Sequence, residues 1–309
     1  MDESLVLSGI DLPPSGEETS GCEELMEVAA EAAEVRVTVL VDNLARERKL
    51  WGEHGLSVLV ETKGRRILFD TGQSGEVLIH NSRELGLNLK DVDAIVLSHG
   101  HYDHTGGLAS FLKKARGLDL YAHPEAFERK YVKTDENQVR EVGCPLAMEK
   151  LLASGVKLHL GRKPTWLCED TLLSGEIVGT TEFEDVPRGF LAQRDQELVT
   201  DLLLDDQSMG IRTSKGLVVI LGCSHVGVIN TIKRMQKLTA TEEVHAVIGG
   251  MHLEKASMSR IHLTIQALIE LGVEKVIPLH CTGFTACAEM ARLLGQKFTL
   301  GSVGATFRF

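Results

Sequence analysis

Four side chains of types that commonly bind metals fall within six positions, in the segment His99-Gly100-His101-Tyr102-Asp103-His104. Imidazole nitrogens bind zinc, iron and manganese, and a carboxylate adds the negative charge that holds a second cation. Packed together without a metal, these groups would leave buried polar atoms without hydrogen-bond partners. We therefore expect His99 and His101 to bind one metal ion, and Asp103 and His104 to bind a second ion close by.

Apolar patterning predicts the elements that hold this segment. Strands are predicted at residues 35–41, Ser57–Thr62, 66–70, 93–98, 118–122, 199–204, Met209–Thr213, Gly216–Leu221, 243–248, 274–279 and 307–309. Helices are predicted at residues 75–85, 226–237 and from Ser257 to Gly272, whereas residues 124–196 have the weakest pattern. Two strand-rich halves with helices predict an α/β fold in which two β-sheets pack face to face with helices outside.

Composition predicts one catalytic domain with an acidic extension. The 309 residues carry a net charge of −11, with 43% hydrophobic and 25% charged residues, as in ordinary globular proteins. Ten of the 44 acidic residues lie in residues 1–34, which contain no lysine or arginine. We expect residues 1–34 to be a partly disordered or helical extension, and residues 35–309 to be the catalytic domain. The other 34 acidic and 33 basic residues nearly cancel, which argues against a nucleic-acid-binding surface.

The sequence favours a small-molecule enzyme of the cytoplasm. Its apolar runs are too short to span a bilayer, and no secretory signal is recognised at the N-terminus. Six cysteines are too few for a disulfide scaffold in a chain of this length, so we expect them to be reduced. We predict a small-molecule substrate and neither a nucleic-acid nor a membrane partner.

The motif His-x-His-x-Asp-His after an apolar strand resembles the metal-binding motif of the metallo-β-lactamase superfamily, and the resemblance extends over residues 35–309. Phe69-Asp70-Thr71-Gly72 is similar to the first motif of that superfamily, and His280 is similar to its last metal ligand. The resemblance implies an αββα sandwich of two mixed β-sheets with outer helices. It also implies that Asp70 orients the metal-binding loop from behind the ligands.

Further segments resemble one subgroup of the superfamily. They are Leu40-Val41-Asp42-Asn43, Glu53-His54-Gly55-Leu56-Ser57, Asp205-Asp206-Gln207-Ser208, Gly222-Cys223-Ser224-His225, Gly249-Gly250-Met251-His252-Leu253 and His280-Cys281-Thr282-Gly283. The subgroup includes metal-dependent hydrolases and a dihydropterin–ribofuranosylaminobenzene phosphate synthase. The resemblance implies a hydrolase in which a metal-bound hydroxide attacks an ester, a lactone or a phosphoester. The alternative is a synthase-like transferase that forms a C–N bond and releases diphosphate.

One position departs from the superfamily pattern. Hydroxyacylglutathione hydrolases and similar members have a Gly-Asp after the penultimate strand, and that aspartate bridges two metal ions. Here the predicted strand Gly216–Leu221 leads to Cys223 and His225, so one of these takes that place, or the second ion is bound more weakly. His225 is also an alternative third ligand of the first ion. A thiolate would favour zinc, whereas an imidazole leaves iron and manganese open. We expect one or two divalent ions, with zinc the first candidate.

Four polar residues have candidate roles in catalysis. Asp103 would bind metal and also steer the attacking hydroxide. His252 lies in a Gly-Gly-x-His turn, and we expect it to act as a general acid or as a ligand. Asn43 and His54 lie on loops of the first predicted sheet, where they either face the substrate or stabilise a turn.

Overall fold

The computed structural model describes residues 35–114, 117–134 and 138–309, and the predicted acidic extension lies outside these ranges. The strands are β1 Arg36–Val41, β2 Ser57–Thr62, β3 Arg65–Phe69, β4 Ala94–Val96, β5 Asp119–Ala122, β6 Lys130–Lys133, β7 Val139–Glu141, β8 Lys157–Leu160, β9 Thr165–Cys168, β10 Thr171–Leu173, β11 Phe190–Arg194, β12 Glu197–Thr200, β13 Met209–Thr213, β14 Gly216–Leu221, β15 Val244–Gly250, β16 Lys275–Leu279 and β17 Thr306–Arg308. The helices are α1 Glu76–Glu84, α2 Tyr102–Thr105, α3 Leu108–Leu112, α4 Met148–Ala153, α5 Val228–Thr239, α6 Met258–Glu270 and α7 Phe284–Leu294.

Two large mixed sheets form the body of the domain. The first has the strand order β17-β1-β2-β3-β4-β5-β8, antiparallel from β17 to β3 and parallel from β3 to β8. The second has the order β16-β15-β14-β13-β10-β9, in which β14, β15 and β16 are parallel and the other pairs are antiparallel. The last strand, β17, returns the chain to the first sheet, so the two halves of the sequence are joined at that edge.

Apolar side chains fill three layers. The layer between the sheets contains Val37 and Val60 from the first sheet and Val218 and Ile248 from the second. The outer face of the first sheet packs against α1 and α3, and that of the second packs against α5, α6 and α7. This arrangement is the predicted αββα sandwich. Among the described residues, the helices lack the combination of length and apolar character that a bilayer crossing needs.

A third sheet, with the order β12-β11-β6-β7, was not predicted from the sequence. The predicted strand at residues 199–204 is wrong in its second half, because β12 ends at Thr200. Asp201 Oδ1 accepts a hydrogen bond from Leu203 N at 2.8 Å, and Leu203 is buried in a left-handed conformation with φ 52°. This side-chain hydrogen bond turns the chain away from the sheet.

The carboxyl ends of the parallel strands meet at one edge of the sandwich. In the first sheet, β3 leads to Asp70, and β4 leads to the loop with His99. In the second sheet, β14, β15 and β16 lead to Cys223, His252 and His280. Parallel strands end at the same edge, so residues distant in sequence come together there.

Candidate metal centre and active-site cavity

Asp70 anchors the loop that carries the histidine motif. It is fully buried and left-handed, with φ 61°. Its Oδ1 accepts a hydrogen bond from Ser98 N at 2.7 Å, and its Oδ2 accepts from Ser98 Oγ and from His104 Nδ1, both at 2.6 Å. The bond to Nδ1 aims Nε2 of His104 at the neighbouring ligands. Burial alone would lower the pKa of His104, but the carboxylates of Asp70 and Asp103 raise it to about 9.

His99, His101 and His225 form a first cluster of buried donors. His99 Nε2 lies 2.9 Å from His101 Nδ1 and 3.3 Å from His225 Nε2. Because Ser98 Oγ donates to Asp70, it accepts from His99 Nδ1, which leaves a lone pair on His99 Nε2. Burial lowers the pKa of all three imidazoles, that of His101 to about 4, so the rings are neutral at neutral pH. Three neutral nitrogens that converge in this way fit a divalent ion.

Asp103, His104, His280 and Cys223 form a second cluster beside the first. His104 Nε2 lies 3.1 Å from Cys223 Sγ, and His280 Nε2 lies 3.2 Å from Asp103 Oδ2. His280 Nδ1 donates to Asn43 Oδ1 at 2.9 Å, and burial lowers the pKa of His280, so its Nε2 carries a lone pair. A lone pair therefore faces a carboxylate oxygen, and a cation between them would satisfy both.

The charge state of Asp103 agrees with a cation in this position. Burial would raise its pKa, but the charge of His104 and the hydrogen bond from His54 keep the pKa well below its usual range. Both alternatives for the missing bridging aspartate lie in the centre: His225 is in the first cluster, and Cys223 is within reach of His104 in the second. The donors fit one or two divalent ions, as the sequence led us to expect.

Three consecutive residues, Asp205 to Gln207, form hydrogen bonds with the backbone of the two loops that carry the histidines of the first cluster. Their hydrogen bonds join Asp205 Oδ2 to Gly100 N (2.8 Å), Asp206 Oδ2 to Val226 N (3.0 Å) and Gln207 Nε2 to Leu97 O (3.0 Å). These bonds fix the backbone next to His99, His101 and His225. Asp205-Asp206-Gln207-Ser208 resembles a segment of the subgroup, but its sequence alone indicated no role for it.

Lys130, on β6, is a buried residue that the sequence analysis missed. Its Nζ lies 2.6 Å from Asp201 Oδ2 and 2.9 Å from Asp205 Oδ1. Lysine is rarely buried unless it is paired with an acid, so nothing in the local sequence indicates that Lys130 is buried. The ion pair connects the third sheet to the segment that holds the metal-binding loop.

An open cavity of about 570 Å³ lies over both clusters. Its walls come from the third sheet, through Phe190 of β11, and from the start of α6. Phe190 stacks on His101, with the ring centroids 5.0 Å apart. The cationic residues of its lining are Lys133, Arg140, Arg188, Lys255 and Arg260. Arg260 pairs with Glu184 at 3.6 Å, whereas the other four make no ion pair within the described residues.

His252 and His54 also line the cavity. The ring of His252 lies 4.3 Å from that of His225, and burial and His280 lower the pKa of His252 to about 4. His54 is half exposed, and its Nε2 lies 3.2 Å from Asp103 Oδ2, a hydrogen bond that raises its pKa. Asn43 contacts both His54 and His280. Near neutral pH, His54 is the better proton donor of the two histidines.

The sequence profile described as the metallo-β-lactamase superfamily matches residues 50–238. The chain therefore belongs to this superfamily of enzymes, whose members typically bind divalent metals.

Three relatives are similar over most of the chain. The 7,8-dihydropterin-6-methyl-4-(β-D-ribofuranosyl)-aminobenzene-5′-phosphate synthase of Methanocaldococcus jannaschii is 35% identical over 257 residues, which cover 81% of this chain and 87% of that protein. An uncharacterised protein of the same organism is 33% identical over 269 residues, which cover 87% and 98%. The crystal structure of a metal-dependent hydrolase of the β-lactamase superfamily is 33% identical, with a TM-score of 0.74, and the match covers 88% of this chain and 98% of that one.

Proposed function

We propose that this protein is a metal-dependent hydrolase that cleaves a phosphate ester of a small molecule. The proposal rests on one observation: both donor clusters lie beneath the cavity. The lining of this cavity includes four lysine and arginine side chains that form no ion pair within the described residues. Unpaired lysine and arginine side chains attract anions, and the arginine fork binds phosphate oxygens in a bidentate way. An uncharged ester or lactone would gain little from these cations.

The two clusters would hold the metal. One ion would be bound by His99, His101 and His225. A second would be bound by Asp103, His104 and His280 together with Cys223, which are linked by short distances between pairs of their donor atoms. When bound there, a divalent ion would supply Lewis-acid chemistry, which favours attack on a phosphoryl group and the deprotonation of water. Zinc suits a set of imidazole, carboxylate and thiol donors.

The protein's own groups would orient the reactants and move the proton. The ionised carboxylate of Asp103 would accept a hydrogen bond from the attacking water and so direct it. His54, which shares a hydrogen bond with Asp103, would protonate the leaving oxygen. Arg140 and Lys255, in the lining of the cavity, would bind the remaining phosphate oxygens.

A second candidate is a transferase that forms a C–N bond and releases diphosphate. It is favoured by one observation: a relative that is 35% identical and matches over 87% of its length is named as a synthase. The same clusters and the same cationic cavity would suit a diphosphate leaving group. A cytoplasmic location and a small-molecule substrate, with no nucleic-acid or membrane partner, are parts of the proposal that rest on the sequence.

The test compares the hydrolysis of four substrates. Three of them, a phosphate monoester, a phosphate diester and a carboxylic ester, release the same phenol, and the fourth is an aryl lactone. We expect the zinc-loaded protein to prefer the phosphate esters, and Arg140→Ala to raise KM for these but not for the carboxylic ester. Preference for the carboxylic ester or lactone would refute the phosphoesterase assignment. In a parallel assay with an alkyl diphosphate, diphosphate release that requires an added arylamine would identify the transferase instead.

A further inference from the structure

Two cysteines, Cys223 and Cys281, lie in the floor of the cavity, and Cys281 has no role in the proposed function. Cys223 and Cys281 follow different strands of the second sheet, β14 and β16, and both are buried. The Sγ atoms of Cys223 and Cys281 and a ring nitrogen of His280 all lie within 4.8 Å of one another. Cys223 Sγ is also 3.1 Å from His104 Nε2. Two sulfurs and two imidazoles therefore face one small volume.

We infer that Cys281 binds the metal ion of the second cluster together with Cys223. The ion of the second cluster would then have two sulfur ligands, whereas the ion of the first cluster would have only nitrogen ligands. The inference rests on the metal dependence in the proposed function, but not on the reaction. Thiolates and imidazoles are the donors of structural zinc sites, and zinc also accepts a carboxylate such as that of Asp103. Each thiol would release its proton to solvent as it binds the cation.

The backbone around Cys281 holds its sulfur in this orientation. His252 N donates a hydrogen bond to Cys281 Sγ at 3.3 Å, and such a bond favours negative charge on the sulfur. The thiol in turn points at Cys223 O, 3.7 Å away. A Cβ atom at Gly250 would come within 2.7 Å of Cys281 Sγ, so the glycine leaves room for the thiol. His280, in a left-handed conformation with φ 50°, begins the turn that brings its own ring and the next side chain to the same place.

The two positions would then differ in the metals that they accept. Thiolate ligands select zinc and other soft or borderline ions, whereas imidazoles also accept iron and nickel. Manganese prefers oxygen donors, and the second position would offer Asp103 as its one oxygen ligand. We therefore expect tight zinc binding in the second position and easier metal exchange in the first.

Cobalt(II) tests the inference, because a cobalt–thiolate bond gives a strong near-ultraviolet charge-transfer band and a cobalt–imidazole bond does not. The full chain is stripped with a chelator, kept reduced and titrated with cobalt. We expect the band in the wild type, a weaker band in Cys223→Ser and in Cys281→Ser, and no band in the double variant. Cys287→Ser, in helix α7 outside both clusters, is the matched control and should retain the full band. A full band in Cys281→Ser would overturn the inference.

A second measurement needs no variant. Alkylation of the wild-type protein by iodoacetamide is followed at each cysteine by peptide mass spectrometry, with and without zinc. Zinc should slow the reaction at Cys223 and Cys281 at least several-fold, because a metal-bound sulfur is a poor nucleophile, and should leave Cys287 unchanged. Protection of Cys223 without protection of Cys281 would overturn the inference. Neither measurement uses a substrate, so failure here is distinguishable from failure of the proposed reaction.

Discussion

Lys130 and Asp205 form a buried ion pair, with Nζ 2.9 Å from Oδ1, directly behind the metal-binding loop. The other oxygen of Asp205 accepts a hydrogen bond from Gly100 N, between His99 and His101. The third sheet therefore supports the first donor cluster, although it supplies none of the ligands.

Replacement of Lys130 by methionine should destabilise the protein by about 3–5 kcal/mol, because two buried carboxylates would lose their counter-charge. Urea unfolding of the metal-free protein measures this difference. Lys133→Met, three residues further along β6 and exposed, is the matched control and should change stability by less than about 0.5 kcal/mol. If both variants were equally stable, the ion pair would have no part in holding the loop.

His101→Ala and Asp103→Ala should each remove metal and most of the activity, because each deletes a donor of one cluster. Elemental analysis of the purified variants counts the ions. His262→Ala is the control, since His262 lies on the exposed face of α6 and pairs with Glu289 at 3.0 Å. Equal metal content in all three variants would contradict the assignment of the clusters.

His54→Gln should keep its metal and lower kcat by about 10²–10⁴-fold for poor leaving groups, with little effect on good ones, as expected for a lost general acid. The donor must be protonated, so the activity of the wild type should fall as the pH rises through the raised pKa of His54. His252→Gln should not change the dependence on the leaving group, because a ring with a pKa of about 4 is uncharged near neutral pH. If the leaving-group effect appears in His252→Gln instead, His252 is the acid; if that variant loses metal, His252 is a ligand.

A chain that starts at Val35 should retain the metal content and the melting temperature of the full protein. Residues 1–34 carry ten acidic residues and none of the candidate ligands. Val35 already exchanges backbone hydrogen bonds with Phe309, at 3.3 and 3.0 Å, so β1 has its neighbour without them. Thermal unfolding and elemental analysis compare the two chains. Loss of metal in the shorter chain would mean that residues 1–34 are required for metal binding.

Much of the sandwich could be predicted from the sequence, because most strands of its two sheets are buried and apolar, as β14 and β15 are along their whole length. The third sheet could not, since strands such as Val139–Glu141 are short and exposed and have no apolar face to detect. Lys130 could not be recognised either, because its burial depends on Asp201 and Asp205, which are distant in sequence.

The candidate site was predictable where its residues lie close in sequence or directly follow a strand. His99 to His104 are one segment, and His225 and His280 follow β14 and β16. Cys281 was missed because the direction of its side chain depends on the left-handed turn at His280, which the sequence does not reveal. The choice between Cys223 and His225 stayed open for the same kind of reason, since residues two apart in a loop can face two different clusters.

Because β1 pairs with β17, the order of the elements along the chain could be changed by circular permutation. The ends of the described domain, Val35 and Phe309, are hydrogen-bonded neighbours, and β1 runs about 20 Å from there to the site edge at a rise of about 3.3 Å per residue. A short peptide linker could therefore join the two ends far from the cavity. New ends could then be opened at the exposed turn Ser214-Lys215 between β13 and β14, which makes the domain well suited to circular permutation and to insertion into a host protein.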